Sequence, residues 1–385
     1  MKIGIITHYY KSGNYGGTLQ AYALCKQLEK MGYEAEQICA TFLSGLPMTA
    51  QPGGFQRLIH KAKLVLDPCR RLNHLCHPVA AFRCRQREKA VIAFGKTIPH
   101  SRRVYTDKTL PEANSEYEAF ITGSDQVWNP ECYSPAYYLA FAEKGKRKLS
   151  YGASISKAQL TQPQRETIRG HLADFAGVSV REERGVELLE ELAPTAVEWV
   201  LDPTLLLSRE EWDEVCAPGV IREPYVFCFF LGGDESFRTA AAAFAREKGL
   251  KLVTLPYLTG QYRKTDKKFG DIRLYRVSPP EFISLIKNAD YVFTDSFHAS
   301  VFSELYEKNF FAFRRGNAPG METRLESLTK LFGNEERFRS EEKLSPEALQ
   351  RLAGQAVKGN QGLFLQMKEK SVAFLREQLQ QQGIV

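Results

Sequence analysis

The stretch YVFTDSFHASVFSELY, residues 291–306, joins a strand to a helix through polar side chains. Its first residues form an apolar run typical of a buried strand, which ends at Thr294 and Asp295. Apolar residues then recur at helical spacing, so a helix is predicted to begin near Ser296. His298 would lie in the first turn of that helix, where free N–H groups and the positive helix end favour an anion.

Strand and helix patterns alternate along the rest of the chain. Residues 2–37 indicate a strand, a glycine-rich loop, a helix and a second strand. A helix from Pro279 to Asn288 precedes the quoted stretch. Further strands are predicted at 148–152, 177–180 and 197–201, and helices at 161–173, 182–193 and 235–248. This alternation predicts an α/β fold.

The length of 385 residues favours two domains. We predict an N-terminal Rossmann-like domain at 1–207, with a basic helical insert at about 51–103. A linker at 208–224 leads to a C-terminal Rossmann-like domain at 225–385 that includes the C-terminal helices. We expect the two domains to face each other, as in the GT-B arrangement, and a C-terminal helix to cross back to the first domain.

Composition excludes several classes of protein. With 43% hydrophobic and 25% charged residues, the chain has the composition of a globular protein. No run approaches the ~18 apolar residues of a membrane span, and the N-terminal apolar run is too short for a signal peptide. We therefore expect a cytoplasmic protein. The eight cysteines form no CxxC pair, so neither disulfides nor a bound metal are expected.

Positive charge is concentrated in one segment. Residues 57–103 hold twelve Lys and Arg residues against two acidic residues, whereas the whole chain has a net charge of +7. This segment could be a solvated helical face, which we favour, or could contact an anionic membrane or a phosphorylated lipid-linked substrate. Nucleic acid is not expected, because no module of stacking aromatic residues accompanies the charge.

Two further strand-to-loop joints carry polar residues where ligands of open α/β sheets collect. In the first, Asn14, Gly16 and Gly17 precede a helix and allow close backbone approach to an oxygen-rich ligand, although a mere tight turn is the alternative. In the second, Asp125 and Gln126 suit sugar hydroxyls, with Trp128 as an apolar platform; alternatively, Asp125 only caps a turn.

The chain resembles the polysaccharide pyruvyl transferase family. The segments that carry the resemblance are NYGGTLQAYAL, FITGSDQVW, YGASIS (151–156), SVREERG (179–185), DPTLLL (202–207), DYVFTDSFHASVFSELY and METRLESLTKLFG (321–333). They follow the family's order and cover most of the chain. The resemblance implies two facing Rossmann-like domains and transfer of a pyruvyl ketal from phosphoenolpyruvate to a sugar. That sugar belongs to a surface polysaccharide or its lipid-linked precursor, and phosphoenolpyruvate is a co-substrate, with no further cofactor.

The resemblance also implies roles for particular residues. Arg181 and His298 match the family's donor-binding positions, and Ser296, Phe297 and Arg324 complete the predicted donor site. Family members carry Arg-Leu-His where this chain has Ser296-Phe297-His298. One donor cation is therefore missing there, and Arg324 or Arg314 could supply it.

Ketal formation needs groups that donate and accept protons in turn. We predict that His298 is the acid, or protonates the departing phosphate. Asp125 is predicted to be the base, or to orient the acceptor. Asn14, Gly16, Gly17 and Gln126 are predicted to bind the acceptor together with Asp125.

Two other functions remain open at the level of sequence. A GT-B glycosyltransferase that uses a nucleotide sugar would share the fold, and it would need a late carboxylate for the ribose, for which Glu304 is available. A non-catalytic sugar-binding protein of a polysaccharide locus would tolerate loss of the donor arginine. The joint presence of Arg181, Asp125 and His298 argues against that last possibility.

Overall fold

The computed structural model describes residues 1–41, 48, 77–258, 263–315, 320, 322–339, 345–359 and 362–380. The chain divides into two compact units. Unit 1 comprises Met1–Asp67, Ile92–Leu207 and Gln366–Val385, and unit 2 comprises Pro68–Val91 and Ser208–Leu365. The sequence-based division differs from this one in three places, since it assigned 68–91 to the first domain, 366–385 to the second and 208–224 to a linker, whereas unit 2 includes 208–224.

Unit 1 is built on a parallel sheet. Its strands, in spatial order, are β2 (Glu34–Gln37), β1 (Lys2–Ile6), β5 (Ala119–Thr122) and β6 (Arg147–Ser150). The pair β7 (Val178–Val180) and β8 (Val197–Trp199) continues beyond β6 through single bridges, and β3 (Ala40–Thr41) pairs with β4 (Tyr105–Thr106). The central strands are buried, as expected for parallel strands covered on both faces.

The helices of unit 1 are α1 (Tyr15–Lys30), α3 (Gln162–Leu172), α4 (Glu183–Leu189) and most of α11 (Leu363–Gln380). The predicted return of a C-terminal helix to the first domain is confirmed. On α11, the Ser371 hydroxyl accepts a hydrogen bond from the backbone N–H of Leu201 at 2.9 Å. Phe374 packs against Tyr151, with ring centroids 6.5 Å apart.

Unit 2 contains a six-stranded parallel sheet. Its spatial order is β11 (Ile272–Arg273), β10 (Lys251–Thr254), β9 (Tyr225–Phe229), β12 (Tyr291–Thr294), β13 (Asn309–Phe313) and β14 (Phe338–Arg339). Counted along the chain, this is the 3-2-1-4-5-6 order of the Rossmann fold. The order reverses between β9 and β12, and ligands of such sheets bind beyond the carboxyl ends of the strands at that point.

The helices of unit 2 are α5 (Arg209–Val215), α6 (Glu235–Glu247), α7 (Pro279–Lys287), α8 (Phe297–Leu305), α9 (Thr323–Phe332) and α10 (Pro346–Ala353). Their starts follow from local chemistry. Ser278 and Glu281 form a capping box at α7, and proline stands at its first turn. Ser296 caps α8, because its hydroxyl accepts a hydrogen bond from the N–H of Ala299 at 3.4 Å.

The predicted α/β class with two Rossmann-like halves is confirmed. Residues 51–76 of the predicted basic helical insert lie outside the described residues. Residues 78–95 form helix α2 (Pro78–Gly95), whereas residues 96–103 are not helical. Helix α2 belongs to unit 2 as far as Val91 and to unit 1 from Ile92. Within the described ranges, no helix combines the length and the apolar character needed to cross a membrane.

Candidate functional site

In unit 1, Gln20 ties the loops after β1 and β5 to helix α1. Its amide donates to the Thr7 hydroxyl at 3.0 Å and to the Gly17 carbonyl at 2.8 Å, and its carbonyl oxygen accepts from the N–H of Ser124 at 3.0 Å. Gly17 is required at this contact, because a Cβ there would lie 2.5 Å from the carbonyl oxygen of His8. The glycine-rich joint therefore brings the start of α1 against two strand ends.

Asp125 lies at the centre of this edge, in a buried ion cluster. The Arg181 guanidinium donates to Asp125 Oδ1 at 3.1 Å and to Asp202 Oδ2 at 2.5 Å, and the Arg181 side chain is only 1% exposed. Burial alone would lower the pKa of Arg181, but the charges of Asp202 and Asp125 raise it above the usual value. Arg181 is therefore a permanent cation that fixes the Asp125 carboxylate.

The other acceptor residues predicted from sequence lie around the same edge. Asn14 caps α1, because its Oδ1 accepts from the N–H of Gly16 at 3.0 Å. Gln126 Oε1 accepts from the Asn129 amide at 2.9 Å. A Cβ on Gly17 would lie 3.5 Å from Asp125 Oδ2, so the helix start and the carboxylate are close neighbours.

Trp128 does not serve as the expected apolar platform. It is 1% exposed and stacks on Tyr138 in the core, with ring centroids 5.5 Å apart. Its indole N–H donates to the carbonyl of Tyr137 at 3.0 Å. The large apolar side chain beside Asp125 is needed to fill the core under the loop.

His8 is a candidate residue that sequence reasoning missed. Its Nδ1 lies 2.9 Å from the Tyr137 hydroxyl. Burial, and next the charge of Asp125, raise the pKa of Tyr137, so this hydroxyl stays protonated and can either donate to Nδ1 or accept from it. This contact holds the ring through Nδ1, and Nε2 makes no hydrogen bond with a described residue. The signal for His8 is its position directly after the first strand.

In unit 2, Asp295 joins the ends of β9 and β12. Its carboxylate accepts from the N–H groups of Leu231 at 2.6 Å and Gly232 at 2.5 Å. Its backbone carbonyl accepts from Arg315 Nη2 at 2.9 Å. Asp295 therefore shapes the loop after β9, and the positive end of the α8 dipole lies beside it.

The predicted donor residues on α8 and α9 lie together in unit 2. The rings of Phe297 and His298 meet edge to face at 5.1 Å, and the Arg324 guanidinium lies 5.8 Å from the Phe297 ring. His298 and Arg324 are 7% and 6% exposed. Arg181, the remaining predicted donor residue, belongs to unit 1.

Of the two arginines considered for the missing cation, Arg314 faces Glu322 at 3.4 Å, whereas Arg324 packs on Phe297. Arg315 was missed at the level of sequence. Its side chain is 25% exposed and donates to the residue just before the cap of α8. Two guanidinium groups and one imidazole therefore adjoin the start of this helix.

Glu304 is buried in unit 2. It is 0% exposed, and its Oε2 accepts from the Asn334 amide at 2.7 Å. Burial raises the pKa of Glu304 well above the usual value, and the side chain is enclosed in the core. It cannot present a carboxylate to a ribose. Among the described residues, no three His, Cys, Asp or Glu side chains are grouped so as to hold a metal ion.

A family model for polysaccharide pyruvyl transferases matches residues 14–317. The chain belongs to the polysaccharide pyruvyl transferase family. The family resemblance seen in the sequence is thereby confirmed, and this pyruvyl transferase is a transferase that acts on a glycan, with a sugar as its acceptor. Among curated proteins, no sequence match was found.

Solved structures show the fold that this pyruvyl transferase shares. The UDP-GlcNAc 2-epimerase of Methanocaldococcus jannaschii is 11% identical, with a TM-score of 0.52 over 98% of this chain and 100% of that chain. The Neisseria meningitidis enzyme bound to UDP-GlcNAc is 10% identical, with a TM-score of 0.50 over 98% and 100%. The S. aureus MnaA–UDP structure is 10% identical, with a TM-score of 0.55 over 98% and 96%. The pyruvyl transferase therefore has a GT-B-like fold.

Proposed function

We propose that this pyruvyl transferase uses phosphoenolpyruvate to place a pyruvate ketal on a sugar of a surface polysaccharide or of its lipid-linked precursor. The observation that carries the proposal is the cluster at the start of α8, where His298, Arg324 and Arg315 adjoin the positive end of the helix dipole. Phosphoenolpyruvate carries a carboxylate and a phosphate on a three-carbon body. Guanidinium groups and a helix N-terminus are the donors that such a dianion needs.

The proposed reaction balances without a cofactor. Protonation of the methylene carbon leaves a cation at C2, which a first sugar hydroxyl attacks as it loses its proton. The C2–O bond to phosphate then breaks, and a second hydroxyl attacks C2 and loses its proton. One hydroxyl proton replaces the proton given to the methyl group, and the other leaves with inorganic phosphate. The site must therefore donate two protons, one to the methylene carbon and one to the departing phosphate, and accept two from the sugar hydroxyls.

We assign proton donation to His298, either to the methylene carbon or to the departing phosphate. Asp125 accepts a proton from an attacking hydroxyl, and Asn14, Gly16, Gly17 and Gln126 bind the acceptor sugar around it. Arg181 is assigned the positioning of Asp125, because a donor anion at its Nη atoms would have to displace Asp125 or Asp202. A direct contact with the donor would need that displacement.

His8 is the second proton-transfer group in this proposal. When Nδ1–H donates to the hydroxyl oxygen of Tyr137, Nε2 keeps a lone pair that can accept a proton from a sugar hydroxyl. We expect His8→Asn to lower kcat about 100-fold, the usual contribution of a general base, with little change in KM. Tyr137→Phe should lower kcat less, since it only releases the ring. Unchanged kcat in His8→Asn would remove His8 from the mechanism.

Contact with an anionic membrane is a further part of the proposal. Helix α2 carries the exposed residues Arg85 and Lys89 together with exposed Val79 and Phe82. Positive charge beside exposed apolar side chains suits a membrane surface that contains acidic lipids. Co-sedimentation with vesicles that contain anionic lipid, but not with zwitterionic vesicles, is the expected result. Equal recovery with both would end this part of the proposal.

The rival nucleotide-sugar glycosyltransferase is less well supported. The epimerase structures that share the fold contain UDP or UDP-GlcNAc, but the carboxylate that such a function would use here, Glu304, is enclosed in the core. A non-catalytic sugar-binding role does not explain the cations at the start of α8, because a neutral sugar needs no positive charge for binding.

Calorimetric titration of the purified protein with phosphoenolpyruvate, UDP-GlcNAc and a GDP-sugar tests the proposal. We expect saturable binding of phosphoenolpyruvate, weakened about tenfold or more in His298→Gln and in Arg315→Gln. His100→Gln, which changes a histidine in unit 1 outside the cluster, is the control. Binding of a nucleotide sugar without binding of phosphoenolpyruvate would overturn the proposed donor.

A further inference from the structure

Unit 2 contains a cavity of about 470 Å³ beyond the carboxyl ends of β10 and β11, closed on one side by the first turns of α2. Its polar lining includes Arg83, Arg263, Lys267, Arg273, Tyr257 and Tyr275. This is the same edge of the sheet that carries the start of α8. Nothing in the proposed reaction of phosphoenolpyruvate uses the cavity.

Arg87 on α2 holds two loops that line the cavity. Its guanidinium donates to three backbone carbonyls, those of Pro256 at 2.7 Å, Leu274 at 2.9 Å and Tyr275 at 3.0 Å. These carbonyls belong to the loops after β10 and β11. Because Arg87 is 7% exposed and its donors are occupied, it fixes the two loops against α2 and keeps the cavity open.

The cations that face the cavity keep unused donors. Arg83 stacks on the ring of Tyr275 at 3.6 Å and makes no hydrogen bond or ion pair with any described residue. Arg263 stacks on Tyr257 at 3.8 Å and uses one Nη for the carbonyl of Leu231. Lys267 Nζ has no partner within the described ranges. Stacking on tyrosine thus holds two guanidinium planes in place while their N–H groups remain available.

The single acidic side chain in the lining does not neutralise these cations. Asp266 Oδ1 accepts from Arg238 Nε at 2.9 Å, and its Oδ2 accepts from the N–H of Tyr257 at 2.9 Å. Its charge is therefore balanced by Arg238, whose side chain is 5% exposed. The cavity keeps an excess of positive charge next to two aromatic rings and two tyrosine hydroxyls.

We infer that this cavity binds the diphosphate of a diphosphate-linked sugar. The guanidinium groups of Arg83 and Arg263 match phosphate oxygens in geometry and charge, and Lys267 adds a third cation. The volume of about 470 Å³ accommodates a diphosphate with a sugar ring. The inference rests on the proposed function insofar as the diphosphate-linked sugar is the lipid-linked acceptor.

Two observations favour a prenyl diphosphate over a nucleoside diphosphate. Val79, at the rim of the cavity, and Phe82, three residues further along α2, are 61% and 62% exposed. Residues three apart share a helix face, so the two side chains form one apolar strip beside the positive lining. A prenyl chain leaving the diphosphate would cover this strip, whereas a ribose and base would gain little from it.

The cavity adjoins the candidate donor site by direct contacts. Arg263 donates to the carbonyl of Leu231, and the N–H of Leu231 donates to Asp295, the residue before the cap of α8. In the sheet, β11, β10, β9 and β12 are consecutive neighbours. With strands about 4.8 Å apart, the cavity and the start of α8 are about 10 to 15 Å apart, which is the size of one or two sugar rings.

Titration calorimetry with three probes tests the inference: inorganic pyrophosphate, UDP-GlcNAc and a short-chain prenyl diphosphate GlcNAc. We expect saturable binding of pyrophosphate to the wild type, weakened about tenfold in Arg83→Gln and in Lys267→Gln. Arg85→Gln is the matched control, because Arg85 is exposed on the same helix and does not line the cavity. Absence of saturable pyrophosphate binding, or equal affinity in Arg83→Gln and Arg85→Gln, overturns the inference.

Titrations with the prenyl probe and UDP-GlcNAc identify the molecule that carries the diphosphate. Titration with phosphoenolpyruvate tests the proposed donor independently of the cavity. Tighter binding of the prenyl probe than of UDP-GlcNAc, with Phe82→Ser weakening only the prenyl probe, supports the lipid-linked acceptor. The reverse preference supports a nucleotide sugar in the same cavity and overturns the prenyl assignment. The affinity for phosphoenolpyruvate should be the same in Arg83→Gln as in the wild type. If the wild type does not bind phosphoenolpyruvate, the proposed donor is wrong, and the pyrophosphate titration still tests whether the cavity binds a diphosphate.

Discussion

Arg181, which follows β7 in unit 1, and Arg83, which lies on α2 in unit 2, are both arginines near the carboxyl ends of parallel strands, yet their surroundings are opposite. Arg181 is 1% exposed and bridges two carboxylates. Arg83 lies on a cavity, stacks on Tyr275 and keeps its N–H donors unused among the described residues. The environment of Arg181 is that of a positioning residue, whereas the environment of Arg83 is that of a residue that can bind an anion. Burial and partners, rather than residue type, distinguish the two.

The largest effect is expected from Arg181→Ala. Removing the guanidinium leaves Asp125 and Asp202 buried without a counter-charge, which should lower the free energy of unfolding by about 3–5 kcal/mol. Urea denaturation measures the change. Arg184→Ala is the control, because the Arg184 side chain is 40% exposed and its pair with Glu187 should contribute no more than about 0.5 kcal/mol. Similar costs for both variants would refute the positioning role.

The next effect separates two arginines one helical turn apart on α2. Arg87→Ala deletes three charge-assisted hydrogen bonds to loop carbonyls and should cost about 2–3 kcal/mol of unfolding free energy. Arg83→Ala should cost less than about 0.5 kcal/mol, as for an ordinary surface change. Thermal denaturation of both variants makes the comparison. A large loss of stability in Arg83→Ala would show that Arg83, too, is structural.

Gly17→Ala tests how closely α1 must approach the ligand edge of unit 1. The new methyl group would lie 2.5 Å from a backbone carbonyl oxygen, which cannot move aside as a side chain can. We expect a loss of about 1–3 kcal/mol, the usual cost of overpacking, accompanied by weaker acceptor use. Gly170→Ala, at a glycine with open space around it, should be neutral or better. Equal stability of the two variants would contradict the close approach.

The smallest effect concerns Glu304, a buried carboxyl group that accepts a hydrogen bond from the Asn334 amide. Its folded pKa is raised by burial, so below about pH 4.5 both folded and unfolded states are protonated and the group contributes no pH dependence. Above that pH the unfolded state ionises first, and stability falls as pH rises towards the folded pKa. Glu304→Gln should gain on the wild type by up to about 1.4 kcal/mol per pH unit. Denaturation between pH 5 and 8 measures this, and a constant difference would contradict it.

Local patterns in the sequence predicted the elements of the fold well. The quoted stretch forms Tyr291–Thr294 and Phe297–Leu305, and the predicted helix at Pro279 ends within one residue of its observed end. Apolar runs and capping residues are local, so they can be seen without a structure. The predicted grouping of Ser296, Phe297 and His298 depends on the same local chemistry.

Contacts between distant parts of the chain could not be predicted in this way. Arg181 donates to Asp202, 21 residues away in sequence. His8 contacts Tyr137, 129 residues away, and Arg87 donates to the carbonyl of Pro256, 169 residues away. No periodicity marks such partners, because they depend on how the strands are ordered in each sheet. The same reason explains why Arg315 and the cavity beside Arg83 emerged only from the structure.

The central claim, pyruvyl transfer from phosphoenolpyruvate to a glycan, is tested most directly by incubating the enzyme with phosphoenolpyruvate labelled in the pyruvyl carbons and a lipid-linked oligosaccharide extract. We predict that label enters the glycan in an acid-labile ketal, that one inorganic phosphate is released per label, and that His298→Gln abolishes both. Phosphate release without labelled glycan, or glycan modification only when a nucleotide sugar replaces phosphoenolpyruvate, would contradict the claim.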